Sequence, residues 1–321
     1  MTKGLDDALS TAAKLWPLAS EAPELLSHRE NAVYRVALET GEKAVLRLHR
    51  PGYNSADEIL SELVWTQALA DKGFAVPRPI PSRSGALFEQ VSDTQVATCL
   101  SWAEGGPLGA GGDPLGGSAT EKIALYQRVG RLLADLHNLS DAFDPPPEFT
   151  RRTWDQEGFL GENPLWGRFW ENPALKPDEG KYLLESRDIA RDALTKYRND
   201  CADFGLIHAD ALRENIFRDG DALTLIDFDD AGYGFRMFDL TTALSQSLLD
   251  PDHDQLLDAL FDRYAAKRPL RQTDRDHARL FTMLRAFASL GWIVPRTKPG
   301  DPRQRSNCDR ALWAARRFRD G

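Results

Sequence analysis

Three polar side chains between residues 207 and 230 have the types and spacing of a reaction centre. Asp210 lies in a loop that follows the apolar run Gly205-Leu206-Ile207, and Asn215 closes that loop five positions later. Ile216-Phe217 and Leu223 to Ile226 are short β-type runs, and Asp219-Gly220 between them is a strong hairpin turn signal. Asp227 stands just past the second of these strands. A hairpin folds its ends together, so Asn215 and Asp227 are expected to meet. An amide oxygen and a carboxylate on neighbouring strand ends are hard donors suited to Mg²⁺. Asp210, set apart from that pair, is a carboxylate placed to accept a proton from a hydroxyl.

The elements around these residues read as follows. Residues 5 to 19 carry apolar positions at helical spacing, ended by Pro17. Residues 27 to 38 and 43 to 49 are strands. Alternation puts Lys43, Val45, Arg47 and His49 on one face and Ala44, Leu46 and Leu48 on the other. Residues 55 to 72 form a helix with a Ser55/Glu58 capping box, Gly73 as its stop and a buried stripe of Leu60, Leu63, Val64 and Leu69. Strands follow at 86 to 91 and 95 to 102, then a flexible Gly- and Pro-rich stretch at 105 to 117. A second capped helix starts at Ser118 and closes at Leu136-His137, with His137 a structural residue. Pro145-Pro146-Pro147 is a stiff linker. An aromatic-rich segment spans 150 to 175, and helices are expected at 179 to 198, 253 to 267, 274 to 294 and 303 to 319.

The spacing of Asp210, Asn215 and Asp227 resembles phosphoryl transfer in the protein-kinase-like fold. Protein kinases carry His-Arg-Asp with Asn five residues on, then Asp-Phe-Gly. Here the residues are His208-Ala209-Asp210, Asn215 and Asp227-Phe228-Asp229. The acid in place of the last glycine is similar to the aminoglycoside phosphotransferase, choline kinase and type II homoserine kinase superfamily. The run Trp166 to Trp170 resembles its homoserine-kinase-like and bacterial stress-response-kinase branch.

That resemblance implies an α+β, bilobal fold with a small β-rich N-lobe, 1–103, and a larger α-helical C-lobe, 104–321. It implies ATP and Mg²⁺ as cofactors. Asp210 would be the catalytic base, and Asn215 and Asp227 the metal ligands. Arg47 would replace the usual phosphate-binding Lys, held by Glu62, and the backbone at Ser101 and Ala103 would read adenine. His208 would brace the loop. Asp239, in the Phe238-Asp239-Leu240 that follows Gly232-Tyr233-Gly234, would accept hydrogen bonds from the loop backbone. Asp229 and Asp230 would lie beside the acceptor. Arg213 would reach a phosphate or sit on the surface. The acceptor would be a small hydroxyl compound, with an amino group favoured by the acid cluster. A protein Ser/Thr kinase and a nucleotide-binding pseudoenzyme are the alternatives.

Composition narrows the partners. A formal net charge of −9 disfavours nucleic acid and anionic membranes. Cys99, Cys201 and Cys308 are odd in number and widely spaced, so neither a disulfide framework nor a zinc site is expected. No run approaches the ~20 apolar residues of a membrane span, and the N-terminus has no apolar signal core. The chain therefore reads as cytoplasmic.

Overall fold

Alternating apolar positions build the first sheet, and two helices of different pattern cover its two faces. The structure is a computed structural model that describes residues 3–28, 30–200 and 202–320. Arg29, inside the first expected strand, and Cys201 lie outside the described residues. Helix α1 (Lys3–Leu15) stops just before Pro17. Strands β1 (Glu24–His28), β2 (Ala32–Ala37) and β3 (Lys43–Leu48) precede α2 (Ala56–Asp71), and β4 (Phe88–Ser92) and β5 (Gln95–Ser101) follow it. All neighbours pair antiparallel in the order β1-β2-β3-β5-β4. Ala44, Leu46 and Leu48 pack with Ala8 and Ala12 of α1 and with Trp16 just past its end. On the other face Ile59 and Leu63 of α2 pack against Val96. Arg47 is thereby carried on the α2 side of the sheet.

Helix α2 has the expected capping box at Ser55 and Glu58. Its buried face is different from the expected stripe. Ile59, Leu63, Trp65 and Leu69 are buried together with Ser61, Glu62 and Thr66, while Leu60 and Val64 are only half-buried. The cause is a second neighbour. Residues 146–149 lie against Leu60 and Val64, and the Thr150 N–H donates to Ser61 Oγ at 2.9 Å. With the sheet on one side and this segment on the other, a single stripe no longer describes the helix.

The rest of the chain runs β6 (Gly106–Pro107), α3 (Ala119–Asp141), β7 (Thr153–Trp154), α4 (Gln156–Leu160), α5 (Pro177–Asn199), β8 (Phe204–Ile207), β9 (Ile216–Asp219), β10 (Ala222–Leu225), β11 (Gly232–Phe235), α6 (Arg236–Thr242), α7 (His253–Ala265), α8 (Gln272–Asp276), α9 (Ala278–Trp292) and α10 (Pro302–Arg319). Helix α3 continues to Asp141, past the expected close at His137. The helix expected over 274 to 294 is divided at His277 into α8 and α9. The Gly/Pro stretch is anchored near its start, where the Leu108 N–H lies 2.9 Å from the carbonyls of both Arg213 and Ile216.

Two compact units result, one of residues 1–106, 142–151 and 217–229, the other of 107–141, 152–216 and 230–321. This differs from a single cut at 103/104. The β10 end of the hairpin joins the first unit, where the Leu225 N–H bonds the Ala75 carbonyl at 3.0 Å.

In the second unit β11 pairs antiparallel with β8 and parallel with β7. Close approach explains the Gly-Tyr-Gly of β11. A Cβ at Gly234 would strike Ile207 and Trp154, and one at Gly232 would strike the Arg152 carbonyl. Strand β8, so held, delivers the chain to residue 208. Helix α3 behind it makes a similar contact, with Gly130 against the Leu260 backbone of α7. Gly130→Ala is therefore expected to lower the melting temperature by several degrees, equivalent to about 1–3 kcal/mol of overpacking. An isolated helix would instead gain from the same change. A calorimetric melt distinguishes the two, and a Tm at or above wild type would contradict the packing argument.

Candidate active site

The loop after β8 begins with a strained residue. Ala209 has φ 65°, in the left-handed region that costs an alanine about 1 kcal/mol or more. Asp239, fully buried on α6, holds the backbone there. Its Oδ2 accepts from the His208 N–H at 2.8 Å and its Oδ1 from the Ala209 N–H at 2.7 Å. His137 Nε2 lies 3.1 Å from Asp239 Oδ2, and His137 Nδ1 lies 2.8 Å from the Tyr264 hydroxyl. Burial, reinforced by the Arg236 charge, pushes His137 down to about 4. Burial alone would raise Asp239, but its bond from His137 and the loop amides hold it below the usual carboxylate range. A neutral imidazole donating Nε2–H to a carboxylate satisfies both values.

The loop thus pinned presents Asp210, whose side chain is 21% exposed. Asn215 Nδ2 donates to the Asp210 carbonyl at 2.8 Å and to its Oδ2 at 2.9 Å. This occupies the Asn215 amide nitrogen and leaves its oxygen as the atom suited to a cation. His208 is buried, and its Nδ1 accepts from the Asp210 N–H at 3.2 Å. Arg213 is not at the surface. It is buried and bonds the Asp113 carbonyl at 3.0 Å and the Gln246 side chain.

A residue that the sequence reading missed completes the surroundings of Asp210. Arg285 of α9 is buried and donates from Nη2 to Asp210 Oδ1 at 2.7 Å. Its guanidinium lies over the Trp166 ring, 4.8 Å from the centroid. Trp166 Nε1 bonds Asp230 Oδ1 at 3.2 Å, and Arg152 bonds the same oxygen at 2.8 Å. The available signal was a cation within an apolar stretch of helix, between Leu284 and Ala286-Phe287.

In the first unit a second charged cluster is built around Arg47. Its Nη1 bonds Glu62 Oε1 at 3.1 Å, and its Nη2 lies 2.8 Å from both Asp227 Oδ1 and Asp229 Oδ1. Lys43, on the same strand, is exposed and lies over the Trp102 ring. Asn31 Nδ2 bonds Asp229 Oδ2. Arg151, also missed from sequence, donates to the carbonyls of Glu58, Phe228 and Asp229 at 2.8–2.9 Å and stands 3.8 Å from Glu62 Oε2. Burial would lower Arg47, but Asp229, Asp227 and Glu62 together raise it above the ordinary arginine value. Burial and then repulsion from Asp229 push Glu62 up to about 7.

Asp227 itself has φ 64° and a side chain 47% exposed. Asp227 is thus the accessible carboxylate of a cluster whose other acids, Glu62 and Asp229, are buried. That donor set fits a hard divalent cation. Asn215 belongs to the second unit and Asp227 to the first. Among the described residues no group of three or more His, Cys, Asp or Glu is arranged to hold a metal ion. The Ser101 N–H is occupied by the Arg78 carbonyl at 2.8 Å, and Ala103 follows the end of β5.

Residues 21–281 match the APH family, described as the Phosphotransferase enzyme family. The chain belongs to this family. It is 28% identical over 278 residues to a homoserine kinase of Methylobacterium radiotolerans, covering 78% of this chain and 75% of that protein. The solved structure of a microcompartment-associated aminopropanol kinase is similar at a TM-score of 0.82 and 27% identity, over 98% of this chain and 97% of the other. That of the amicoumacin kinase hAmiN with AMP-PNP, Ca²⁺ and Ami is similar at a TM-score of 0.77 and 20% identity, over 97% and 96%. As a member of the family the chain is a phosphotransferase with a protein-kinase-like fold. Among the described residues no helix is long and apolar enough to cross a membrane.

The buried titratable groups make stability depend on pH. Burial and then the Arg47 charge push His49 down to about 3, as burial pushes His137 to about 4, from an ordinary 6.5. Both stay neutral in the folded chain while the unfolded chain protonates below 6.5, so their contribution is lost as pH falls. Glu62 acts oppositely, because the folded chain holds its proton from about 7 down to 4.5. Burial also pushes His253 below its ordinary value, so between 6.5 and 4.5 the unfolded state gains more protons than the one that Glu62 holds in the folded state, and stability is expected to fall on acidification. Urea midpoints across this window measure it. Glu62→Gln removes the opposing proton and should steepen the fall; a flat profile would contradict the assignment.

Proposed function

We propose that the chain transfers the γ-phosphoryl group of ATP to a hydroxyl of a small acceptor, with Mg²⁺ as the divalent ion. The observation that carries this reading is Asp210. It is a partly exposed carboxylate on a loop pinned by a buried acid, with each of its oxygens already held by a donor. A base so restrained can accept the acceptor's proton in a single orientation.

The remaining roles follow from chemistry. Arg47 binds the phosphates, and its planar fork lets it keep Glu62 while it does so. Arg151 steadies Glu62 and the 228–229 backbone. Asp227, with Asn215, holds the metal, which when bound offsets the charge on the phosphates. Asp229, buried between Arg47 and Asn31, acts on Arg47 in this reading and not on the acceptor. Asp230 is likewise paired with Arg152. Asp210 and Asp230 each carry an arginine partner, so a net cationic acceptor is not required. Small amino alcohols and hydroxy amino acids are the first acceptors to try, given the homoserine and aminopropanol kinases among the relatives.

ADP release measured with ATP and L-homoserine, 1-aminopropan-2-ol, choline, an aminoglycoside or a generic protein tests the reading. One small hydroxyl compound should raise turnover well above the rate in water, whereas stimulation by the protein alone would overturn it. Two substitutions test the site. Arg47→Ala should raise the KM for ATP and lower kcat, each on the order of tenfold or more, while Lys43→Ala should change neither. Asp227→Ala should abolish turnover and remove the Mg²⁺ dependence of ATP affinity measured by calorimetry. Retained Mg²⁺ enhancement would exclude Asp227 as a ligand.

A further inference from the structure

We infer that Arg285 is a positioning residue for the base Asp210, an inference that rests on the role proposed for Asp210 above. Its placement is costly to the fold. Arg285 itself is buried, in a stretch of α9 where Leu280, Phe281, Met283, Leu284, Ala286 and Phe287 are also buried; Phe281, Thr282, Ala288 and Ser289 share its own face. A cation in such surroundings needs full pairing to break even, and an apolar residue of similar volume usually packs as well or better. Arg285 is not fully paired. Its only hydrogen bond among the described residues goes to Asp210, and its Nε and Nη1 are buried without a hydrogen-bond partner. A residue kept for stability would not be left in this state. What it does is hold one atom of one side chain.

The geometry makes that hold specific. Stacking on Trp166 fixes the guanidinium plane, and Trp166 is tied through Nε1 to Asp230, itself paired with Arg152. Arg285 then takes Oδ1 of Asp210 while Asn215 takes Oδ2. A carboxylate bonded at one oxygen can still rotate about its Cβ–Cγ bond; one bonded at both cannot without breaking a bond. The remaining lone pairs therefore point in a set direction, the condition a general base needs to meet a hydroxyl within hydrogen-bond reach. Trp154 and Asp155-Gln156 supply the frame, since the Trp154 Nε1–H bonds the Asp230 carbonyl at 2.8 Å and Asp155 caps α4.

A double-mutant cycle tests the inference, using D210N, R285M, R285K and D210N/R285M. Initial rates are taken with ATP and the best of L-homoserine, 1-aminopropan-2-ol and water as acceptor. R285M should lower kcat on the order of 10- to 100-fold and leave the KM for ATP within about twofold, a loss smaller than that of D210N. R285K should recover part of the loss. In the D210N background R285M should cost no more than about threefold, because the arginine acts only through Asp210. The melting temperature of R285M should equal or exceed wild type. Wild-type kcat in R285M, losses that multiply in the double variant, or an R285M that fails to fold would each overturn the inference. Wild-type turnover in D210N would instead remove Asp210 from the mechanism, a separate outcome.

Discussion

The buried carboxylate of Asp239 is the contact on which the site depends. It closes two hydrogen bonds to consecutive amides, His208 and Ala209, and so stabilises a left-handed alanine that would otherwise relax. Replacing it with an apolar residue would leave two buried donors unpaired, at about 1–3 kcal/mol each. The acid in turn is ionised in the interior only because His137 and the amides satisfy it. Helix α3 supplies that histidine, α6 supplies the acid and β8 supplies the strand end. The direction in which Asp210 leaves the loop is therefore a consequence of packing well behind it.

The first unit solves a different problem, the storage of charge. Arg47 contacts Glu62, Asp227 and Asp229 from two separate nitrogens, which a lysine ammonium could not do. Arg151 adds a second cation, bound mainly through backbone carbonyls. Asp227 is the most exposed acid of the cluster, while Glu62 and Asp229 are buried against the arginines.

What was legible in the sequence was local. The capping boxes at Ser55 and Ser118, the alternation from Lys43 to Leu48 and the Asp-Gly hairpin are each written within a few residues, and the structure has them. The link from Asp239 to the loop backbone was also readable. The arginines were not. Arg151 bonds a carbonyl 77 residues away and Arg285 an acid 75 residues away, and no local pattern marks such pairs. The two faces of α2 were missed because its second neighbour comes from residues 146–150. Asp229 and Asp230 looked equivalent by adjacency, yet they lie in a turn, and one pairs with Arg47 while the other pairs with Arg152.

The central claim is that Asp210 works as a base in a direct transfer and does not itself take the phosphoryl group. The stereochemical course at phosphorus decides this. With ATP made chiral at the γ-phosphorus by oxygen isotopes and the best acceptor, a single in-line displacement inverts the configuration in the phosphorylated product. Inversion is the result expected here. Retention would mean two displacements through a phosphorylated side chain, and would contradict the role assigned to Asp210.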